Sequence, residues 1–176
     1  MSKALPARLF AAALLAAGLV STSKAGIAVR FVESAPKDRF EIANTTHCKL
    51  QALQLEIDLT GTAGGLIFDT TGTGAGVEVF QPFEVREGPI ALASGTVADG
   101  DRKLIVSLGV LAPGQKAAFT IDVDDTLVNS ELGQIRVSGG ELQGGRVAVQ
   151  IADGAQVQAV FTDANRVEVP LAECLG

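Results

Sequence analysis

Apolar and polar residues alternate with a period of two along most of the chain after residue 25. The clearest case is residues 53–60, where every odd position is apolar and every even position is polar. Such alternation is typical of a strand with one face in the core and one toward water. Similar alternation or short apolar runs predict further strands near residues 27–32, 40–43, 66–70, 77–85, 104–110, 119–123, 147–151, 157–161 and 167–171.

Gly, Pro and Asp residues separate these segments, and no helical period extends beyond a turn or two. Asp153-Gly154 predicts a hairpin between strands 147–152 and 157–162, and Pro113-Gly114 predicts a second hairpin. Many short antiparallel strands without crossover helices predict an all-β protein. We expect a single antiparallel β-sandwich of about ten strands, of the immunoglobulin-like, Greek-key type.

The N-terminal residues have the pattern of a targeting segment. Basic residues precede an apolar run over residues 9–20, and small residues follow it. This order predicts a secretory signal peptide over residues 1–25, cleaved before Gly26. The run is too short to span a bilayer comfortably, and no longer apolar stretch follows it. Residues 26–176 are therefore predicted to form one β-sandwich domain that is secreted or periplasmic and does not insert into a membrane.

Charge and cysteine content narrow the possible functions. The chain carries 20 acidic and 14 basic residues, a formal charge of -6, so it lacks the basic surface expected of a nucleic-acid-binding protein. With one His and two Cys, a metal centre built on these residues is not expected. In an exported chain an even cysteine count favours a bridge, and we predict a disulfide between Cys48 and Cys174.

Patterns of catalytic residues are weak. The glycines of segment 72–76 lack the spacing of a phosphate-binding loop and precede a strand-like segment, which favours a β-turn or bulge. His47 is the only imidazole available to a triad, and no Ser lies in a strand-turn-helix elbow. Glu56 and Asp58 share one strand face and could resemble a glycosidase pair, but their alternation with apolar residues favours a solvated outer face. We predict that the protein is not an enzyme.

The acidic string around Asp122, Asp124 and Asp125 is the strongest candidate site. The first two residues project to the same side at the end of a predicted strand, and Asp125 begins the next loop. Hard cations such as calcium bind several carboxylate and carbonyl oxygens, so these three residues are predicted metal ligands. The alternative is a solvated strand end whose Asp residues cap the turn over residues 126–132.

Several stretches resemble the aggregation factor core family, which is named for a sponge cell-adhesion proteoglycan. They are residues 31–40, 65–69, 76–83 and 119–126, and the most specific strings are Glu-Ser-Ala-Pro-Lys-Asp and Asp-Val-Asp-Asp-Thr. The resemblance implies an extracellular adhesion or surface role in which calcium and glycan take part.

The first functional hypothesis is therefore a secreted, non-enzymatic β-sandwich with an adhesion or matrix-associated role that uses calcium. Its expected partners are a cell-surface or matrix component, a glycan, or a second copy of the chain. The alternative is a periplasmic or secreted module that binds carbohydrate or another small ligand. Sugar-binding modules commonly stack aromatic rings on their ligands, and the absence of Trp and Tyr favours the first hypothesis.

Overall fold

A computed structural model of the chain describes residues 25–34, 36–77, 80–93, 95–150, 155–162 and 164–171. These residues form eleven strands and one helical turn. The elements are β1 (Gly26–Val32), β2 (Asp38–Asn44), β3 (Leu53–Asp58), β4 (Ile67–Asp69), β5 (Glu84–Glu87), β6 (Ile90–Leu92), β7 (Lys103–Leu108), β8 (Lys116–Asp124), α1 (Gly139–Leu142), β9 (Arg146–Gln150), β10 (Gln156–Val160) and β11 (Arg166–Pro170).

The strands form two sheets. The first sheet has the order β11-β1-β2-β8-β4, and β5 also pairs with β8. The second sheet has the order β10-β9-β3-β7-β6. Every strand pair in both sheets is antiparallel. The prediction of an all-β protein built from antiparallel strands is therefore confirmed.

One hydrophobic cluster joins the two sheets. Leu55 and Ile57 of β3 are fully buried, as are Ile121 and Val123 of β8, and these side chains belong to the same cluster. Burial of apolar surface is the main favourable contribution to folding, and it explains why the alternating positions face inward. The arrangement is that of a β-sandwich-like core between two sheets.

Aromatic side chains strengthen the first sheet. The rings of Phe31 and Phe40 lie 5.2 Å apart, and those of Phe40 and Phe119 lie 5.1 Å apart in a stacked arrangement. Phe83 continues the series, 4.8 Å from Phe119. The phenylalanines therefore belong to the core or pack against it, and they tie the segment before β5 to the middle of the first sheet.

The two predicted turns have different outcomes. Strands β9 and β10 pair with each other as the predicted hairpin requires, although residues 151–154 lie outside the described residues. Pro113-Gly114 does form a turn, with Gly114 at a φ of +73° and the Gln115 N–H donating to the Ala112 carbonyl. It is not a hairpin turn, because it connects β7 of the second sheet to β8 of the first.

The predicted strand over residues 77–85 is also wrong in its position. Residues 80–83 have no strand structure, and β5 begins only at Glu84. Pro82 lacks the N–H group that a paired strand donates, which accounts for the later start. Strand β6, which pairs with β7, has no counterpart among the predicted strands.

Two predictions fall largely outside the described residues. The signal peptide lies there apart from Ala25, and Cys174 lies there as well. Export and the bridge between Cys48 and Cys174 stay predictions. Among the described residues, no helix is long and apolar enough to cross a membrane.

Candidate functional site

Two of the predicted metal ligands lie on the outer side of β8. Ile121 and Val123 enter the core, so alternation directs Asp122 and Asp124 to the opposite face. Both are nevertheless buried, with only 3% and 1% of their surface exposed. The strand end is therefore not solvated, contrary to the alternative interpretation, since another part of the chain excludes water from this face.

The connection between β4 and β5 lies against these aspartates. We call its described part, residues 70–77 and 80–83, the covering segment. The Val77 N–H donates to Asp124 Oδ2 over 2.7 Å, and the Asp122 N–H donates to the Gln81 carbonyl over 3.0 Å. The glycine-rich stretch and the acidic string, which the sequence presents as separate features, thus form one structure.

Asp69 completes the centre of this structure. It is 2% exposed, and the antiparallel register of β4 and β8 places it directly opposite Asp122. A Cβ atom at Gly76 would overlap the carboxyl oxygens of both Asp69 and Asp124. The two carboxyl groups therefore approach each other beneath Gly76, a position where any larger residue would collide with them.

Asp99 holds the covering segment in place. Its Oδ1 accepts hydrogen bonds from the backbone N–H groups of Thr70 (2.9 Å) and Thr71 (3.2 Å), and its Oδ2 accepts one from Ala75 (2.6 Å). These hydrogen bonds, led by that from Ala75, lower the pKa of Asp99 to about 2. Asp99 is thus an anion that the loop backbone stabilises, and Gly74 leaves room for its carboxylate.

Asp38 extends the acidic region to the neighbouring strand. It is 2% exposed and accepts hydrogen bonds from the Ser34 N–H (3.2 Å) and the Val123 N–H (3.0 Å). Burial and, to a smaller extent, the nearby Asp122 charge raise its pKa to about 8, against the effect of these hydrogen bonds. We use the name carboxylate cluster for Asp38, Asp69, Asp99, Asp122 and Asp124.

The centre of the carboxylate cluster favours neutral carboxyl groups. Burial, followed by repulsion from Asp124 and Asp69, raises the pKa of Asp122 to about 8. Burial and a hydrogen bond with Asp99 raise the pKa of Asp69 to about 6, and burial also raises the pKa of Asp124. Like charges in a site of low polarity cannot all ionise at little cost, so either protons or a cation must neutralise them.

Some buried oxygens in this region have no hydrogen-bond partner among the described residues. They are Asp122 Oδ2, Asp124 Oδ1 and Asp125 Oδ2. Unpartnered carboxylate oxygens are the ligand type that calcium prefers. Yet no three His, Cys, Asp or Glu side chains within the described ranges are arranged so that they could hold a metal ion. A cation bound here would therefore need backbone carbonyls or water as further ligands.

Asp125 is held differently from the two strand aspartates. It begins the loop after β8, as predicted, and it is 3% exposed. Its Oδ1 accepts a hydrogen bond from the Leu127 N–H over 2.8 Å, and its own N–H donates to the Gln134 carbonyl. Asp125 therefore does form the local turn that the alternative interpretation expected, but in a buried position.

Sequence reasoning missed Asp38, Asp69 and Asp99 as members of the site. Asp69 is the last residue of the short strand β4 and Asp99 lies in a turn, and nothing near them in the sequence marks them as neighbours of Asp122. One available signal was the exact alternation of β8, since it places Asp122 and Asp124 side by side where two ionised groups would repel each other.

The second acidic pair, Glu56 and Asp58, lies on the outer face of β3. The Lys103 Nζ atom is 3.7 Å from Glu56 and 3.0 Å from Asp58. Their side chains remain 29% and 15% exposed. This is the solvated outer face that the alternation favoured, with a lysine between the two carboxylates.

Comparisons with family models, with curated proteins and with solved structures gave no match to the chain. Functional inference therefore depends on the residues of the chain itself.

Proposed function

We propose that the chain is an exported, non-enzymatic β-sandwich of the immunoglobulin-like, Greek-key type, which acts in adhesion or attachment to a surface and binds calcium at the carboxylate cluster. The observation that carries the proposal is the burial of Asp122 and Asp124 with oxygens that have no partner among the described residues.

The charge balance around the cluster supports a cation. Among the described residues, no Lys or Arg forms an ion pair with Asp69, Asp122 or Asp124. A divalent cation would remove the repulsion that raises their pKa values and would supply a partner for the orphaned oxygens. Asp122 and Asp124 would hold it, with Asp69 opposite them and Asp125 at the start of the next loop.

The path of the chain supports a Greek-key type of sandwich. It crosses between the two sheets from β2 to β3, β3 to β4, β5 to β6, β7 to β8, β8 to β9 and β10 to β11. Export is supported by the basic and apolar pattern of the N-terminal residues. The proposed bridge between Cys48 and Cys174 belongs to the same compartment.

The adhesive part of the proposal is supported by the resemblance of residues 119–126 and 76–83 to the aggregation factor core family. These two stretches contain the strand aspartates and part of the covering segment. A cation that fixes the covering segment would give a partner a constant surface to contact. The proposed partners are a cell-surface or matrix component, a glycan, or a second copy of the chain.

A calcium titration of the purified protein tests the first step. We expect millimolar calcium, added after chelation, to raise the melting temperature, because binding to the native state alone stabilises it by mass action. Asp124→Asn should remove most of this rise. Asp58→Asn, which changes an aspartate on the exposed face of β3, is the matched control and should keep it. An unchanged melting temperature would remove calcium from the proposal.

Sedimentation and pull-down measurements with calcium test the second step. Adhesion predicts that calcium promotes self-association of the protein or its retention on cells or polysaccharide, and that Asp124→Asn loses this response. A protein that calcium stabilises but that stays monomeric and binds neither cells nor polysaccharide would rule out the adhesive role while leaving the calcium site in place.

A further inference from the structure

An open cleft of about 380 Å³ lies on the outer face of the first sheet, beside the carboxylate cluster. Its walls carry three cationic side chains, from Lys37, Arg39 and Arg86, and two hydroxyl groups, from Ser34 and Thr120. The volume is in the range of sites for small molecules. Such a concentration of donors is unusual in a chain with a formal charge of -6.

Thr120 forms part of the floor of the cleft. It is 8% exposed, and its Oγ1 has no hydrogen-bond partner within the described part of the chain. Its register partners are Arg39 on β2 and Glu84 on β5, so one row across three strands contains a cation, a hydroxyl and a carboxylate. A buried hydroxyl without a partner costs stability, which points to a ligand as its partner.

A bulge in β5 introduces the third cation. The pairing of β5 with β8 shifts register between Val85 and Glu87, so Arg86 has no partner residue on β8. Bulges commonly redirect a side chain next to a functional site. Here Arg86 lines the same cleft as Arg39, which belongs to β2 on the other side of β8, and Lys37, which directly precedes β2.

Carboxylates at the rim pair with these cations. Arg86 Nη1 is 2.8 Å from Glu84 Oε1, and Lys37 also contacts Glu84. Arg39 Nη2 is 3.1 Å from Glu87. These side chains are between 28% and 50% exposed, and ion pairs at that exposure contribute little to stability. A ligand carboxylate can therefore replace a rim carboxylate at low cost.

We propose that this cleft binds a small hydroxylated organic acid. The ligand carboxylate would lie between the guanidinium groups of Arg39 and Arg86, which suit planar, bidentate pairing. The ligand carboxylate would take the place of Glu84 on Arg86, and a ligand hydroxyl would pair with the Thr120 hydroxyl. The proposal develops the alternative of a small-ligand module, and it does not rest on calcium binding.

Calorimetry with three related probes, in the presence of chelator, tests the ligand class. The probes differ from one another in one kind of functional group. Tartrate carries carboxylates and hydroxyls, succinate carries carboxylates alone, and threitol replaces the tartrate carboxylates by hydroxymethyl groups. We expect tartrate to bind most tightly, succinate more weakly and threitol undetectably. Equal binding of threitol and tartrate, or no binding of tartrate, would overturn the proposal, and equal binding of succinate would overturn its hydroxyl contacts.

Variants test whether binding occurs in this cleft. Arg86→Gln should weaken tartrate binding about tenfold, the loss typical of one charge-assisted hydrogen bond. Thr120→Val should also weaken tartrate binding. It should leave folding intact, because the hydroxyl that it removes has no hydrogen-bond partner among the described residues. Arg166→Gln is the matched control, because Arg166 is similarly exposed and pairs with Glu168 on β11. Tartrate binding that Arg86→Gln leaves unchanged would overturn the proposed site.

Two further variants separate this cleft from its neighbours. Glu84→Gln removes the charge of the rim carboxylate that competes with the ligand for Arg86, so we expect stronger tartrate binding. Weaker binding would overturn the exchange of rim and ligand carboxylates.

Asp124→Asn should leave tartrate binding unchanged while removing the calcium response, so failure of the calcium proposal and failure of the cleft proposal are distinguishable.

Discussion

Strands β3 and β8 each carry two acidic residues on the outer face, two positions apart, but their surroundings differ. Glu56 and Asp58 on β3 remain partly exposed, with Lys103 between them. Asp122 and Asp124 on β8 are 3% and 1% exposed, and no described Lys or Arg pairs with them. The same local pattern therefore produces a solvated surface in one sheet and a buried carboxylate cluster in the other.

The covering segment causes the difference. It lies along the outer face of the first sheet, where Val77 donates to Asp124 and Gln81 accepts from the backbone of Asp122. Residues distant in sequence, Asp69 and Asp99, then add their own carboxylates. The segment that packs over a strand, and not the strand itself, therefore determines whether an acidic pair stays at the surface or becomes buried in a site.

The core side of β3 gives the largest expected effect. Leu55→Ala and Ile57→Ala should each lower the free energy of unfolding by about 2 to 4 kcal/mol, because both side chains are fully buried. Glu56→Ala should change it little. Denaturant unfolding measures all three. Equal losses at the three positions would show that the outer face of β3 is also packed, which would break the comparison with β8.

The pH dependence of Asp122→Asn gives the next effect. Burial and neighbouring charges raise the pKa of folded Asp122 to about 8, whereas its ordinary value is 3.8. As the pH rises from about 4 to 8 the unfolded chain ionises first, so wild-type stability should fall over this range in chelating buffer. Asp122→Asn cannot ionise, and it should exceed the wild type in stability at pH 8 and equal it below pH 4.

Unfolding measurements at three or four pH values test this prediction. The expected gain at pH 8 is about 1 to 3 kcal/mol, the usual cost of a buried polar group without a partner. Asp58→Asn on β3 is the control and should not gain stability between pH 4 and pH 8, because the pKa of Asp58 is lowered. A loss of stability in Asp122→Asn at pH 8 would contradict the raised pKa of this residue.

A substitution at Gly76 tests how closely the covering segment packs against the carboxylate cluster. A Cβ atom there would overlap the carboxyl groups of Asp69 and Asp124, so Gly76→Ala should cost about 1 to 2 kcal/mol through displaced side chains or backbone. Gly140→Ala is the matched control, since its Cβ would lie no closer than 3.7 Å to Ser138. Thermal unfolding of both variants measures the difference. Similar stability in the two would place the covering segment farther from the cluster.

Much of the fold follows from alternation alone. Ten segments of the sequence predict strands, and the pattern of Leu55 and Ile57 correctly identifies which face of β3 is buried. The covering segment and the late start of β5 were not predictable in this way, because both depend on pairing with β8 and on Pro82 rather than on a local period. The turn at Pro113-Gly114 shows the same limit, since a turn residue specifies a bend and not the sheet that the chain enters next.

The candidate site was only partly predictable for a related reason. The acidic string around Asp122 and Asp124 is visible in the sequence, and it correctly predicts that the candidate site lies at the end of β8. Asp38, Asp69 and Asp99 join it from β2, β4 and a turn, so their contribution depends on sheet register and loop packing. Burial, which separates this string from Glu56 and Asp58, is a property of the folded chain.

The smallest expected effect is that of Asp58→Asn. Its stability should depend on pH in the opposite direction to that of Asp122→Asn. Burial acts to raise the pKa of Asp58, but hydrogen bonds with Thr60 and the hydrogen bond and charge of Lys103 together lower it. The stability that Asp58 contributes is therefore present above pH 4 and lost as the pH falls through its folded pKa. Asp58→Asn should lose a little stability at pH 7 and none at pH 2, measured by denaturant unfolding, whereas a gain at pH 7 would contradict it.

The outer face of β3 carries partly exposed carboxylates, whereas that of β8 carries buried carboxylates, Asp122 and Asp124, whose pKa values are raised. The most direct measurement is an NMR titration of the aspartate side-chain carboxyl carbons in chelating buffer. We predict that Asp122 titrates near pH 8 and that the pKa of Asp58 lies below its ordinary value in the same sample. Titration of Asp122 near pH 4, together with Asp58, would mean that both faces are equally solvated and would contradict the account.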